Sequence, residues 1–94
     1  MIKNRVEIYT SKSCNPCKML KVYLEREDID FSRIVFKDIT EHSDDVVRYD
    51  ILRVPTVLLI EQDEDDVENN KIVYVKLNDT VPILIKDIKN HLEV

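Results

Sequence analysis

The chain has 94 residues and a formal net charge of −5, with 44% hydrophobic and 35% charged residues. That fits one globular domain spanning 1–94, and argues against a disordered chain, a membrane-spanning one or a nucleic-acid partner. Glycine is absent, where average usage of about 7% would give six or seven, so the glycine-rich loops that cradle phosphates in dinucleotide and NTP sites are excluded.

Met1 to Glu7 lacks the apolar core of a secretory signal, and no stretch approaches the roughly 18 apolar residues of a membrane span. A cytoplasmic protein with no membrane partner is expected. Val6-Glu7-Ile8-Tyr9 alternates and is rich in β-formers, so it reads as a strand. After the polar loop Thr10 to Ser13, the pattern turns helical from Pro16 to about Glu27. Met19, Leu20, Tyr23 and Leu24 fall on its apolar face. Phe31 to Phe36 reads as the second strand. A short second helix carries Val46, Val47 and Tyr49, with Thr40 or Ser43 as its cap and Asp44 and Asp45 in the favourable first turn.

Val57-Leu58-Leu59-Ile60 is continuously apolar, as in a strand buried on both faces. Glu61 to Asn70 reads as an acidic turn. It lacks the central glycine of a calcium loop, and Asn69-Asn70 is expected to supply positive φ at a hairpin tip. Lys71 to Lys76 makes a fourth strand. Val81, Leu84, Ile85, Ile88 and Leu92 mark one face of a final helix capped by Asp79 or Thr80. The order is β-α-β-α-β-β-α. It implies an α/β fold with a four-stranded mixed sheet covered by helices on both sides, its first unit parallel and its last two strands a hairpin.

The chemistry lies at Cys14-Asn15-Pro16-Cys17, where a strand hands over to a helix. A thiol at a helix N-cap meets the positive end of the macrodipole and unpaired backbone N–H groups, both of which favour thiolate. With Cys14 at the N-cap, Pro16 offers no N–H, so the nearest backbone donor to its sulfur is the amide of Cys17. Lys12 and Lys18 add positive potential. Cys14 is therefore expected to be the exposed nucleophile and Cys17 the more buried resolving thiol. Three other readings stand beside this one: half of a zinc site, inert packing cysteines, and a cluster bridged between two subunits. Zinc needs four ligands. The only histidines, His42 and His91, fall in a polar helix start and near the last helical turn, where solvated or dipole-facing rings are expected. No metal and no bound cofactor are expected.

Val54-Pro55-Thr56 enters the apolar strand. Proline suits a strand's first position, where its missing donor does no harm. Taken together, the strand, the Cys14-x-x-Cys17 helix start and Val54-Pro55-Thr56 before an apolar strand resemble the thioredoxin-like superfamily and its three-layer α/β/α sandwich. The segment Tyr49 to Leu59 is similar to the thioredoxin stretch that enters the cis-proline strand. Ile8-Tyr9-Thr10 and the overall size are closer to glutaredoxins, particularly the glutaredoxin-like reductants of ribonucleotide reductase.

The resemblance implies a monomeric protein disulfide reductase using the Cys14–Cys17 pair, with Pro55 cis beside it. The Val54 backbone would pair with the substrate chain, and Thr56 is the residue that usually follows. Electrons would come from a thioredoxin reductase or from glutathione. The substrate would be a disulfide-containing protein, with ribonucleotide reductase one candidate. The alternatives are a glutathione-dependent glutaredoxin and a redox-sensing binding module without turnover.

Departures from the family pattern sharpen this. Ser13 and Asn15-Pro16 replace the Trp and Gly-Pro of thioredoxins, and Ile8 stands where thioredoxins bury an acid. Leu77-Asn78-Asp79-Thr80 replaces the Gly-Gly of a glutathione site. Asp79 and Thr80 are left as a capping nest for a ligand's carboxylate or amine, which tilts the expectation toward protein substrates. Of the tyrosines, Tyr9 is the one placed to touch substrate. Asn78-Asp79-Thr80 matches a glycosylation sequon, without meaning in the absence of secretion.

Overall fold

The computed structural model describes residues 2–63 and 72–93. Its elements are β1 (Ile2–Thr10), α1 (Asn15–Glu25), a 3-10 turn (Phe31–Arg33), β2 (Ile34–Asp38), α2 (Ser43–Arg48), β3 (Thr56–Asp63), β4 (Ile72–Leu77) and α3 (Val81–Glu93). The sheet order is β2-β1-β3-β4. β1 runs parallel to β2 and antiparallel to β3, and β3 runs antiparallel to β4.

Alternation along the two central strands builds a core on each face of the sheet. Val6, Ile8 and Val57 face Leu20 and Leu24 of α1 and Leu84, Ile88 and Leu92 of α3. Tyr9, Leu58 and Ile60 face the other way, against Tyr49 and Ile51, with Val46 of α2 packed on them. Each fully buried leucine or isoleucine contributes about 1.5–3 kcal/mol. The result is the three-layer α/β/α sandwich with a mixed four-stranded sheet that the element order implies.

Several boundaries differ from the sequence reading for local reasons. Residues 31–33 form a turn rather than strand because the Asp30 carboxylate takes the Ser32 amide and hydroxyl, competing with the ladder. These bonds hold the Asp30 carboxyl below its ordinary range. The first strand starts earlier than its apolar pattern, at Ile2, because β3 pairs with it from Ile2 to Tyr9. Asn4 is buried there, its amide donating to the His91 carbonyl at 3.0 Å.

At α2 neither Thr40 nor Ser43 is the cap. His42 holds that position without a side-chain bond, while Thr40 is spent on the Asp38 carboxylate. Val47 is 81% exposed, outside the core. The third strand runs on through Glu61 and Gln62 to Asp63, and the expected tip around Asn69-Asn70 lies outside the described residues.

α2 ends in a Schellman motif, with the Asp50 amide bonded to the Val47 carbonyl and the Ile51 amide to the Val46 carbonyl. Glycine usually takes the left-handed position of that motif. In this glycine-free chain Asp50 does, at φ 52°. Lys76 Nζ, from β4, donates to the Tyr49 and Asp50 carbonyls at 3.2 and 2.9 Å. Among the described residues no helix is long and apolar enough to cross a membrane.

Candidate functional site

β1 delivers the chain to the site, and the start of α1 shapes it. The Cys14 amide donates to the Ser11 carbonyl, turning the chain out of the strand. Cys14 then takes the N-cap position with extended backbone, and Pro16 sits in the first turn, where its missing N–H costs nothing. The two cysteines are joined as a disulfide, and the Cys17 amide donates to Cys14 Sγ at 3.1 Å. That is the donor expected from the spacing. Cys14 is the more accessible cysteine but only 8% exposed, against 3% for Cys17. The expectation of an exposed Cys14 is corrected: it is buried beside a cleft that Pro16, between the two cysteines, helps to line.

That cleft, of about 590 Å³, is lined by Pro16 and Met19 of the cysteine helix, by Arg53, Val54 and Pro55, and by the turn leading into α3. The Val54–Pro55 peptide is cis. The fold therefore brings the cysteine pair's own proline together with Val54 and Pro55. Thr56 does not line the cleft. It is fully buried beneath it, its hydroxyl donating to the Arg53 carbonyl and accepting from Asn78 Nδ2, each at 2.5 Å.

Across the cleft, Thr80 caps α3, its carbonyl accepting from the Leu84 amide. The Thr80 amide is taken by Asp79 Oδ1 at 2.8 Å, so the expected nest at Asp79 and Thr80 is closed by its own side chain.

Ile8 faces the α1 core, and the neighbouring acid, Glu7, belongs to the opposite face of the sheet. Glu7 accepts from the Tyr9 hydroxyl at 3.3 Å and pairs with Lys37 at 2.8 Å, and Lys37 reaches Asp45 at 3.0 Å. Burial and then the Glu7 charge push the Tyr9 phenol well above its ordinary value. For Lys37 burial acts downward, but its hydrogen bonds to Glu7 and Asp45 outweigh it and raise the ammonium. Tyr9 is fully buried, so its expected contact with substrate is corrected: it serves the core.

His91 is half-buried in the last turn of α3, as a dipole-facing ring would be. Its Nε2 lies 3.2 and 3.0 Å from the carbonyl oxygens of Arg5 and Ile60. Since a carbonyl only accepts, that nitrogen carries the proton. Among the described residues no group of three or more His, Cys, Asp or Glu is arranged to hold a metal ion.

Sequence reasoning missed Arg53, Asn78 and Met19. Asn78 carried a signal, standing two residues before the cap of α3, in the turn that lines the cleft. Met19 carried a misleading one, because its helical spacing places it with Leu20 and Leu24.

No family model matches the chain. The SPbeta prophage-derived thioredoxin-like protein YosR of Bacillus subtilis is 36% identical over 78 residues, covering 82% of this chain and 89% of that protein. Among solved structures, oxidized mitochondrial thioredoxin 3 from Saccharomyces cerevisiae superposes with a TM-score of 0.67 at 22% identity, over 93% of this chain and 77% of that one. Thioredoxin NaTrxh from Nicotiana alata gives 0.66 at 24% identity, over 96% and 74%. At such identities the structural likeness speaks for the fold.

Proposed function

The chain belongs to the thioredoxin-like proteins, and from that premise we propose that it reduces protein disulfides in the cytoplasm through Cys14 and Cys17. The observation that carries the reading is the Cys17 amide aimed at Cys14 Sγ on the first turn of α1. In the dithiol form that donor and the helix macrodipole stabilise charge where a Cys14 thiolate develops. The thiolate attacks one sulfur of the substrate disulfide, and the other leaves as a thiolate and takes up a proton. Cys17, deprotonated, then attacks Cys14 Sγ, releasing the second substrate thiol and closing the Cys14–Cys17 disulfide. Two electrons pass to the substrate in each cycle, and a reductase returns them.

Val54 offers its backbone to an extended substrate chain beside the cysteines, Pro55 walls the cleft, and Thr56 anchors both from below. The closed Asp79–Thr80 turn favours a protein over glutathione as partner, because its amide is not free to take a ligand's carboxylate.

Insulin reduction tests the reading with two electron supplies: NADPH with thioredoxin reductase, and glutathione with glutathione reductase. Turnover is expected with the first and lost in Cys14→Ser. A ribonucleotide reductase turnover assay under the same supplies tests that candidate substrate. Full activity in Cys14→Ser would overturn the mechanism. A dithiol silent in both systems would make the chain a binding module.

A further inference from the structure

The cleft beside the disulfide continues into a second cavity. Met19 and Val81 line both, so a chain lying in the first passes into the second along shared walls. This second cavity, of about 490 Å³, is a trough between α1 and α3 walled by Met19, Tyr23, Val81, Pro82 and Ile85. Met19 is 48% and Tyr23 40% exposed, although their helical spacing matches the buried Leu20 and Leu24. The remaining outer positions of α1 near the cysteines, Lys18 and Lys21, are charged and exposed. Val22, 46% exposed and outside both cavities, adds a third apolar side chain to the surface of α1. Beyond Tyr23 the trough ends at charged side chains, with the Arg26 guanidinium 5.4 Å from the Tyr23 ring and Glu27 held by Lys89 at 3.0 Å.

We propose that the polypeptide substrate leaves the disulfide cleft along this trough, and that Tyr23 and Ile85 receive an apolar side chain about three residues from its reacting cysteine. This rests on the disulfide-reductase reading above. The spacing follows from helix geometry: Pro16 to Tyr23 spans roughly 10 Å at about 1.5 Å per residue, the length of about three extended residues. The charged end admits no long apolar extension. Continuity with the reacting cleft selects the substrate itself, rather than an unrelated partner, as the occupant.

Short peptides with one cysteine disulfide-linked to thionitrobenzoate test this, carrying Leu or Ser three residues before or after that cysteine. Cys14 of the reduced protein attacks the peptide sulfur and expels thionitrobenzoate, the better leaving group, and Cys17 then frees the peptide thiol. One of the two Leu peptides should react about tenfold faster in kcat/KM than its Ser counterpart. Tyr23→Ser should bring that ratio close to one. The ratio cancels any change in the dithiol's own reactivity. Equal rates for Leu and Ser peptides on both sides would overturn the inference. So would equal rates accompanied by a Tyr23-dependent dimer in sedimentation, which would make a second copy the occupant. Release of thionitrobenzoate from none of the peptides would instead sink the reductase reading.

Discussion

Asn78 Nδ2 donates to Thr56 Oγ1, and the same hydroxyl donates to the carbonyl of Arg53. One buried oxygen thereby ties the end of β4 to the start of β3 and fixes the turn that presents Val54 and Pro55 to the cleft beside Pro16. The cleft wall is held from below by a polar contact at the head of the apolar run Val57-Leu58-Leu59-Ile60.

Thr56→Val keeps the side-chain shape but removes both bonds, leaving Asn78 only its longer bond to the Pro55 carbonyl, so it should cost about 1–3 kcal/mol of stability. Urea unfolding of the oxidised protein reads this directly. Thr56→Ser should recover most of the loss, and a valine variant as stable as the parent would show that the bond is not formed in solution.

The two cysteines should behave asymmetrically once reduced. Iodoacetamide should label Cys14 first, with a pH midpoint below the roughly 8.5 of a free cysteine, because a backbone amide and the helix N-terminus face it. Cys17→Ser should accumulate a mixed disulfide with substrate, and Cys14→Ser should not. Peptide mapping by mass spectrometry would reveal the reverse order if the roles were exchanged.

The buried cluster of Tyr9, Glu7 and Lys37 ties stability to alkaline pH. The folded-state phenol of Tyr9 lies above its ordinary value of 10.0 and the Lys37 ammonium above 10.5. Raised groups favour the fold fully below their unfolded values, and that contribution is lost as pH climbs through the folded ones. The melting temperature should therefore fall from about pH 10 upward. The phenolate absorbance of Tyr9 should appear only as the protein unfolds. Tyr9→Phe should lack that late component; if it appears unchanged, it belongs to another tyrosine.

What the sequence disclosed follows the range of the interactions involved. The cysteine pair's placement was legible because a strand pattern gives way to a helix pattern within a few residues, and Pro16 removes the competing donor. β3 was legible because an unbroken apolar run admits burial on both faces. Glu7 was not, since alternation in a strand reads a polar residue as outward. Here β1 is central and covered on both sides, and the lysine that compensates Glu7 arrives on the neighbouring strand. Tyr23 and Met19 misled for a related reason. Periodicity gives the apolar side of α1, but the position of α3 decides how much of that side is covered.

Asp50 provides the sharpest test of what a glycine-free chain gives up. It holds φ 52° at the left-handed position of the Schellman motif closing α2. There a side chain other than glycine's costs about 1 kcal/mol, somewhat less for aspartate. The bonds around the turn are made by main-chain groups, including the Tyr49 and Asp50 carbonyls that Lys76 holds. Replacing the side chain leaves them in place. Asp50→Gly should therefore stabilise the fold, by about 0.5 kcal/mol once the greater freedom of glycine in the unfolded chain is subtracted. Asp50→Val, branched at Cβ, should destabilise it by more than that. Thermal and urea unfolding of the two variants against the parent decide the matter. A glycine variant less stable than the parent would mean that the aspartate side chain contributes a contact outweighing its backbone strain.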